Sequence, residues 1–487
     1  MSDLKQQTIS GIIWSAVERF GTMSISFVSN IVLARLLSPD DFGCIGMLAI
    51  FIALSNTFLE GGFGSALIQK KTPTQADFST VFYWNVLLSL FLYVTLFLLS
   101  PAIAVYFHEP KLTPILRVQA LILIPNSLSV VHANMLRKSL QFRKLARIIL
   151  FPTLLGAVVG IILAYRGLGV WSLVAFQLLN ASCLTMLYWR NNEWRPSFEI
   201  DLKSFTALFS YGGFILISNL LNTLMENIQG LLIGRKFSAS IMGYYAQARK
   251  LEDIPATSLS SITSQVTFPV FSKIQDNKEA IFVAHRKITI ALNTVIFPIM
   301  LMLIVLAEPL IITIFSEKWS NSISLFRILC LGGMANCLVS VNYNLYISSG
   351  NSKKAFKWNT YKQIIGIINI LIGLNWGVKG MLYGMVVNFW LYFLINASLS
   401  KQVSGYGIFS QIKDCIPMLL VALIASLITW AFCCNILDDM LLRLICGIPL
   451  FVSTYLLMSI LLRLESTILL KSIIHPYLKS LTNKLTT

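Results

Sequence analysis

Residues 81–100 read VFYWNVLLSLFLYVTLFLLS, twenty residues without a charge. At a rise of ~1.5 Å per residue such a run makes a helix of ~30 Å, the thickness of a bilayer's hydrocarbon core. Similar apolar blocks recur at 148–164, 290–307, 381–395, 416–433 and 441–462. The whole chain of 487 residues is 56% hydrophobic and 12% charged, with a mean hydropathy of +0.73. Soluble domains carry about 25% charged residues, so this chain has too little polar surface to cover a water-borne fold. The expected fold class is all-α, a polytopic membrane protein with about 14 transmembrane helices. The first block is too long for the core of a leader peptide and is expected to stay as the first helix.

Charge supports that count. Numbering the connections from an inner N-terminus puts Lys70 and Lys71, Arg137, Lys138, Arg143, Lys144 and Arg147, and Lys353, Lys354, Lys357 and Lys362 on the inner side. Inner Lys and Arg then outnumber outer ones roughly three to one, the asymmetry that sets membrane topology. Both termini are expected in the cytoplasm, with the chain in the bacterial inner membrane. The net charge of +17 is explained by inner segments facing anionic headgroups, so no nucleic-acid partner is implied. The eight cysteines and four histidines show no metal-ligand spacing, and neither a metal nor a cofactor is expected. No P-loop, nucleophile elbow or HExxH occurs, so no catalytic residue is assigned and the chain is not expected to be an enzyme.

An internal repeat sets the domain organisation. ARLLSPDDFGCIG at 34–46 aligns with GRKFSASIMGYYA at 234–246, matching Arg35 with Arg235, Ser38 with Ser238 and Gly43 with Gly243. SPAIAVYF at 100–107 aligns with EPLIITIF at 308–315, and Gly169, Val170 and Asn180 align with Gly377, Val378 and Asn388. A six-helix unit copied once gives two lobes of the same orientation. The expected lobes are 1–203 and 204–402. Two further helices and a cytoplasmic tail, 403–487, lie outside the repeat.

Polar residues inside apolar helices mark candidate function. Glu18 and Arg19 fall in the first helix, Glu60 in the second and Glu226 in the seventh. Arg249, Lys250, Glu252 and Asp253 fall in the eighth, followed by a hydroxyl-rich run from Thr257 to Gln265. Arg249 with Asp253 and Lys250 with Asp253 stand at ion-pair spacing, so they could simply neutralise one another. The hydroxyls could line a cavity or join helices. A guanidinium that stays charged when desolvated suits a phosphate ligand. Trp14, Tyr244, Tyr245 and Phe268 could stack on sugar rings or anchor at the membrane interface.

The opening TISGIIWSAVERFGTMSISFVSNIVLARLLSPDDFGCIGM, with LARLLSPDDFG at 33–43, GGFGSALIQ at 61–69 and YAQARKLEDIP at 245–255, resembles the Wzx/WzxC-type polysaccharide flippases. These belong to the multidrug/oligosaccharidyl-lipid/polysaccharide exporter superfamily. The resemblance implies a carrier that moves undecaprenyl-diphosphate-linked oligosaccharide by alternating access, with membrane lipids around it and a polysaccharide polymerase and export machinery as partners. It implies Arg19, Arg249 and, less directly, Lys250 as diphosphate ligands. Glu18, Glu60, Glu226, Glu252 and Asp253 remain cavity-lining or ion-coupling candidates, for H⁺ or Na⁺. A multidrug exporter, which would favour acidic cavities, a lipid II flippase and a membrane glycosyl polymerase or ligase are the alternatives.

Overall fold

In the computed structural model residues 2–60, 67, 70, 72–199 and 202–465 are described. The glycines at 61, 62 and 64, most of the GGFGSALIQ motif and the tail from 466 lie outside the described residues. Every long element is a helix: α1 Ser2–Leu36, α2 Pro39–Glu60, α3 Gln75–Phe107, α4 Leu112–Gln119, α5 Leu123–Lys138, α6 Phe142–Tyr165, α7 Val170–Asn191, α8 Leu202–Lys236 and α9 Ala239–Lys273. There follow α10 Lys278–Val305, α11 Ala307–Phe315, α12 Ser320–Ser348, α13 Ser352–Gly373, α14 Gly377–Ser404, α15 Ile408–Ile436 and α16 Met440–Leu461. A 3₁₀ turn at Ala120–Ile122 joins α4 to α5 as one membrane-length stretch, and α11 is a short helix before α12. The remaining long helices fall one to one on the fourteen expected spans.

Among the described residues ten stretches are apolar and long enough to cross a membrane, one of them containing most of α13 and all of α14. The chain is a multi-pass membrane protein. Among the long helices, α1 carries Glu18 and Arg19 and α9 carries Arg249, Lys250, Glu252 and Asp253 within their lengths. The second helix, also expected among the polar ones, is an apolar span with mean hydropathy 2.0. Its one candidate acid, Glu60, is its last residue. Apolar side chains cover the outward faces, as on α3, where Leu87, Phe91 and Leu98 are exposed. A hydrocarbon solvent has no reason to bury them.

Local chemistry starts the helices. Thr74 and Asp77 cap α3 reciprocally: the Asp77 carboxylate accepts from the Thr74 amide at 2.7 Å, and the Thr74 hydroxyl accepts from the Asp77 amide at 3.3 Å. That carboxylate is fully buried and is neutralised by Lys70 at 2.7 Å. Ser38 and Asp41 cap α2 in the same way, at 2.9 and 3.3 Å. Pro39 is the first residue of α2, where a missing amide hydrogen costs nothing. Pro255, Pro269, Pro298 and Pro417 stand inside helices.

By packing, the chain forms two units, Met1–Ala246 and Gln247–Thr487. This division follows contacts, whereas the lobe boundaries expected at 203 and 402 follow the repeat. In the first unit α1 lies along α6, α6 along α7, α3 along α5, and α2 along α8. Gly11 faces Phe142 and Gly21 faces Leu150, so α1 and α6 run parallel. In the second unit α12 is the central helix, enclosed by α14 and α10. The two terminal helices pack into this unit, α15 against α10 and α16 against α15 and α11.

The repeat reappears as a contact in the first unit. A Cβ on Gly43 would stand 1.7 Å from the carbonyl oxygen of Ala239, and one on Gly243 would stand 1.9 Å from that of Pro39. Pro39 and Ala239, and Gly43 and Gly243, are the same pairs the alignment matches. The starts of α2 and α9 therefore meet backbone to backbone about a local two-fold axis. Around them, the Ser240 hydroxyl donates to Asp40 at 3.1 Å, Lys111 pairs with Asp40, and Arg235 reaches His108 at 3.1 Å.

Candidate functional site

Close packing of α1 on α6 through Gly11 and Gly21 leaves a cavity beside the next turns of α1. It measures about 590 Å³ and lies within the first unit. Ser15, Glu18, Arg19, Thr22 and Ser26 of α1 line one wall. Arg137, next to last in α5, closes the other side, and Phe142, Leu145 and Ile149 of α6 form an apolar floor. Ile149 is seven residues into α6, about 10 Å from the helix end by its rise. The hydroxyl of Thr22 donates to the Glu18 carbonyl at 2.7 Å, one turn back on α1. Next to the cavity Arg143 stands over the Trp14 ring at 5.4 Å, so that aromatic holds a guanidinium.

Two guanidiniums, one carboxylate and three hydroxyls thus share one pocket against an apolar floor. Two planar donor forks can grip several phosphate oxygens at once, and hydroxyls add neutral donors. Glu18 leaves the site with one net positive charge at full ionisation, suited to an anion. Arg137 is the member sequence reasoning missed. It stands in a basic run that reads as a connecting segment, and it lines the cavity while remaining exposed. Its signal was slight: it is the first basic residue after an apolar span.

The 249–253 group lies in the second unit and is a local ion-pair set. Arg249, ten residues into α9, holds Glu252 at 3.1 Å and Asp253 at 3.1 Å. The Asp253 pairing at i,i+4 is one the spacing foresaw; Glu252 at i,i+3 is the second partner. Glu252 is 2% exposed, and its other oxygen presses on α12, where a Cβ on Gly333 would come within 2.5 Å of it. Gly333 is what lets a carboxylate stand there. Arg249 keeps 30% of its side chain exposed, and Lys250 is exposed beside it. The hydroxyl run divides by face. Ser260 meets Cys337 at 3.5 Å, and Ser264 accepts from Asn344 at 2.9 Å, so this side joins α9 to α12. Thr257 and Gln265 are on the exposed side.

Glu60 and Glu226 flank another contact of the first unit. The hydroxyls of Thr57 and Thr223 lie 2.9 Å apart where α2 and α8 run antiparallel. Each glutamate is three residues beyond its threonine, so the two stand on opposite sides of that contact, about 9 Å apart along the helices. Both are exposed. The first unit therefore brings Glu18 and Arg19 into one cavity and sets Glu60 and Glu226 about the α2–α8 contact. Arg249, Lys250, Glu252 and Asp253 form their own cluster in the second unit.

Among the described residues no group of His, Cys, Asp and Glu could hold a metal ion. A family model described as polysaccharide biosynthesis protein matches residues 32–324. The lipopolysaccharide biosynthesis protein WzxC of Escherichia coli (strain K12) is 28% identical over 404 residues, covering 82% of this chain and 81% of that protein. The succinoglycan biosynthesis transport protein ExoT of Rhizobium meliloti (strain 1021) is 26% identical, covering 89% of each chain. Among solved structures, a lipid II flippase MurJ in an inward closed conformation superposes with a TM-score of 0.76 at 16% identity, covering 93% of this chain and 99% of that one. That likeness concerns the fold.

Proposed function

We propose that this chain, which belongs to the polysaccharide biosynthesis protein family, is a flippase that moves undecaprenyl-diphosphate-linked oligosaccharide across the bacterial inner membrane for surface polysaccharide export, by alternating access. The observation that carries the reading is the pairing of Arg19 with Arg137 in one hydroxyl-lined cavity. A diphosphate offers two anionic centres, and two guanidiniums lining one open pocket answer both. The oligosaccharide and the polyprenyl tail differ in polarity, and a pocket with a polar wall and an apolar floor suits the junction between them. Two guanidiniums against one carboxylate disfavour the alternative of a cationic-drug exporter. The names of the relatives favour surface polysaccharide over lipid II as the cargo class. Both termini in the cytoplasm, and a polymerase and export machinery as partners, belong to this reading.

The test uses the purified full chain in vesicles of phosphatidylethanolamine and phosphatidylglycerol with a fluorescent undecaprenyl-diphosphate-linked glycan. Losing one charged hydrogen-bonding partner of the diphosphate, about 1.5–3 kcal/mol, should slow flipping at least ~10-fold in Arg19→Ala and in Arg137→Ala. Arg19→Lys should recover part of it, since an ammonium lacks the planar fork. Wild-type rates in both alanine variants, with equal protein in the membrane, would refute the assignment.

A further inference from the structure

One cation of the second unit has no part in the cavity just described. Lys362 lies ten residues into α13 and is 3% exposed. A lysine is almost never that deep unless a carboxylate neutralises it. Among the described residues none does. Its ammonium donates to Oδ1 of Asn396 at 2.9 Å and stands over the rings of Tyr343 and Tyr392 at 5.4 and 5.7 Å. The Tyr392 hydroxyl donates to the Lys362 carbonyl at 2.7 Å. It reaches there because residue 366 is glycine: a Cβ would stand 2.1 Å from that hydroxyl. Asn396 is itself fixed by donating to the Val339 carbonyl at 3.2 Å. Three helices, α12, α13 and α14, close around one cation with an amide and two ring faces. Counting charges along the sequence groups Lys362 with Lys354 and Lys357 of the inner segment; those two are exposed.

The surroundings continue as a ladder along α14. Asn388, Tyr392, Asn396, Ser400 and Ser404 recur every four residues and so share one face. Asn369 donates to Asn388 at 2.7 Å, Ser400 to Asn342 at 2.6 Å, and Ser404 meets His285 at 3.0 Å. From α12 the titratable group facing Lys362 is Tyr343, and from α14 it is Tyr392; neither helix presents a charged group to it. A methionine would fill this space with no charge to bury. An arginine could not change its charge at all, whereas a lysine can hold or give up one proton.

We propose that Lys362 is the proton-carrying residue that couples the transport cycle to a proton gradient. When the cage opens to water on one side, the ammonium passes one proton to a water molecule, leaving a neutral amine and a hydronium ion on that side. When it opens on the other side, the amine takes one proton from water there. The rings and the amide accommodate both forms because none of them carries a charge that must be balanced. This inference rests on the transport reading above.

The same vesicles test it, with and without an imposed pH gradient. The wild-type chain should flip the fluorescent glycan faster under the gradient. Lys362→Arg, which keeps the cation but cannot release its proton, should lose that stimulation. Lys362→Gln, neutral and able to bond Asn396, should lose it too, and thermal unfolding in detergent shows that each variant is folded. A second readout needs no vesicle: proton release to a pH-indicator dye on adding the glycan should be lost in both variants, while glycan binding, followed by tryptophan fluorescence, remains. A gradient response retained by either folded variant, or missing from a wild type that flips the glycan, overturns the proposal. Absence of flipping by the wild type under every condition would instead overturn the transport reading itself.

Discussion

Glu252 shows what a buried carboxylate demands of its neighbours. Its carboxylate is buried against Gly333, with Arg249 as its counter-charge. Removing only the arginine strands that charge, which costs about 3–5 kcal/mol. Arg249→Ala should therefore lower the unfolding temperature in detergent, and the double variant Arg249→Ala, Glu252→Gln should recover most of it. If the double variant is stable yet fails to flip the glycan, the exposed part of the guanidinium acts on the substrate; restored flipping would leave it an ion pair and nothing more. The spacing of Arg249 and Asp253 made their pairing legible, because an i,i+4 contact is decided within one helix. Arg137 and Lys362 were not legible in the same way. Both sit in strings of basic residues, and which member of the string lines a cavity, as Arg137 does, or is buried, as Lys362 is, depends on the helices around it.

At the scale of the element, the apolar run makes a helix readable, because any backbone in hydrocarbon must satisfy its own hydrogen bonds. The long helices follow from that constraint. The short breaks, at Ala120–Ile122 and before α12, do not, since they follow from neighbouring helices. The crossing of α2 and α9 belongs here too. A valine at position 43 cannot fit against the Ala239 carbonyl oxygen at 1.7 Å, so the two helix starts must separate. Cysteines replacing Asp40 and Ser240, whose side chains touch at 3.1 Å, should form a disulfide under mild oxidation in the wild-type background. Adding Gly43→Val should abolish it and slow flipping; undiminished cross-linking would show that the crossing tolerates bulk. The alignment revealed that residues 43 and 243 are equivalent. That they touch is a fact of three dimensions.

For the whole molecule, the sequence suggested a duplication with two added helices, while the division by packing at 246 was not readable, since it sums contacts between distant segments. Lying outside the repeat does not make α15 and α16 dispensable. Buried Asn342 bonds Gln411 at 3.0 Å, Asn293 bonds Cys415 at 2.8 Å, and the Tyr455 hydroxyl donates to the Thr294 carbonyl at 3.1 Å. Arg286 is held by Asp414 at 2.7 Å and Glu465 at 2.6 Å. A chain ended at Gly405 would orphan several of these groups, at about 1–3 kcal/mol each. It should run as an aggregate in detergent size-exclusion chromatography, and a monodisperse peak would contradict this. The glycine crossing carries a longer consequence. Equivalent residues that meet about a two-fold axis make the kind of contact by which a half-length ancestor pairs with a copy of itself. In that ancestor one codon would have served both sides of the junction. If the chain arose by fusion of two such copies, two codons now keep one contact, and a larger residue at either Gly43 or Gly243 would open it.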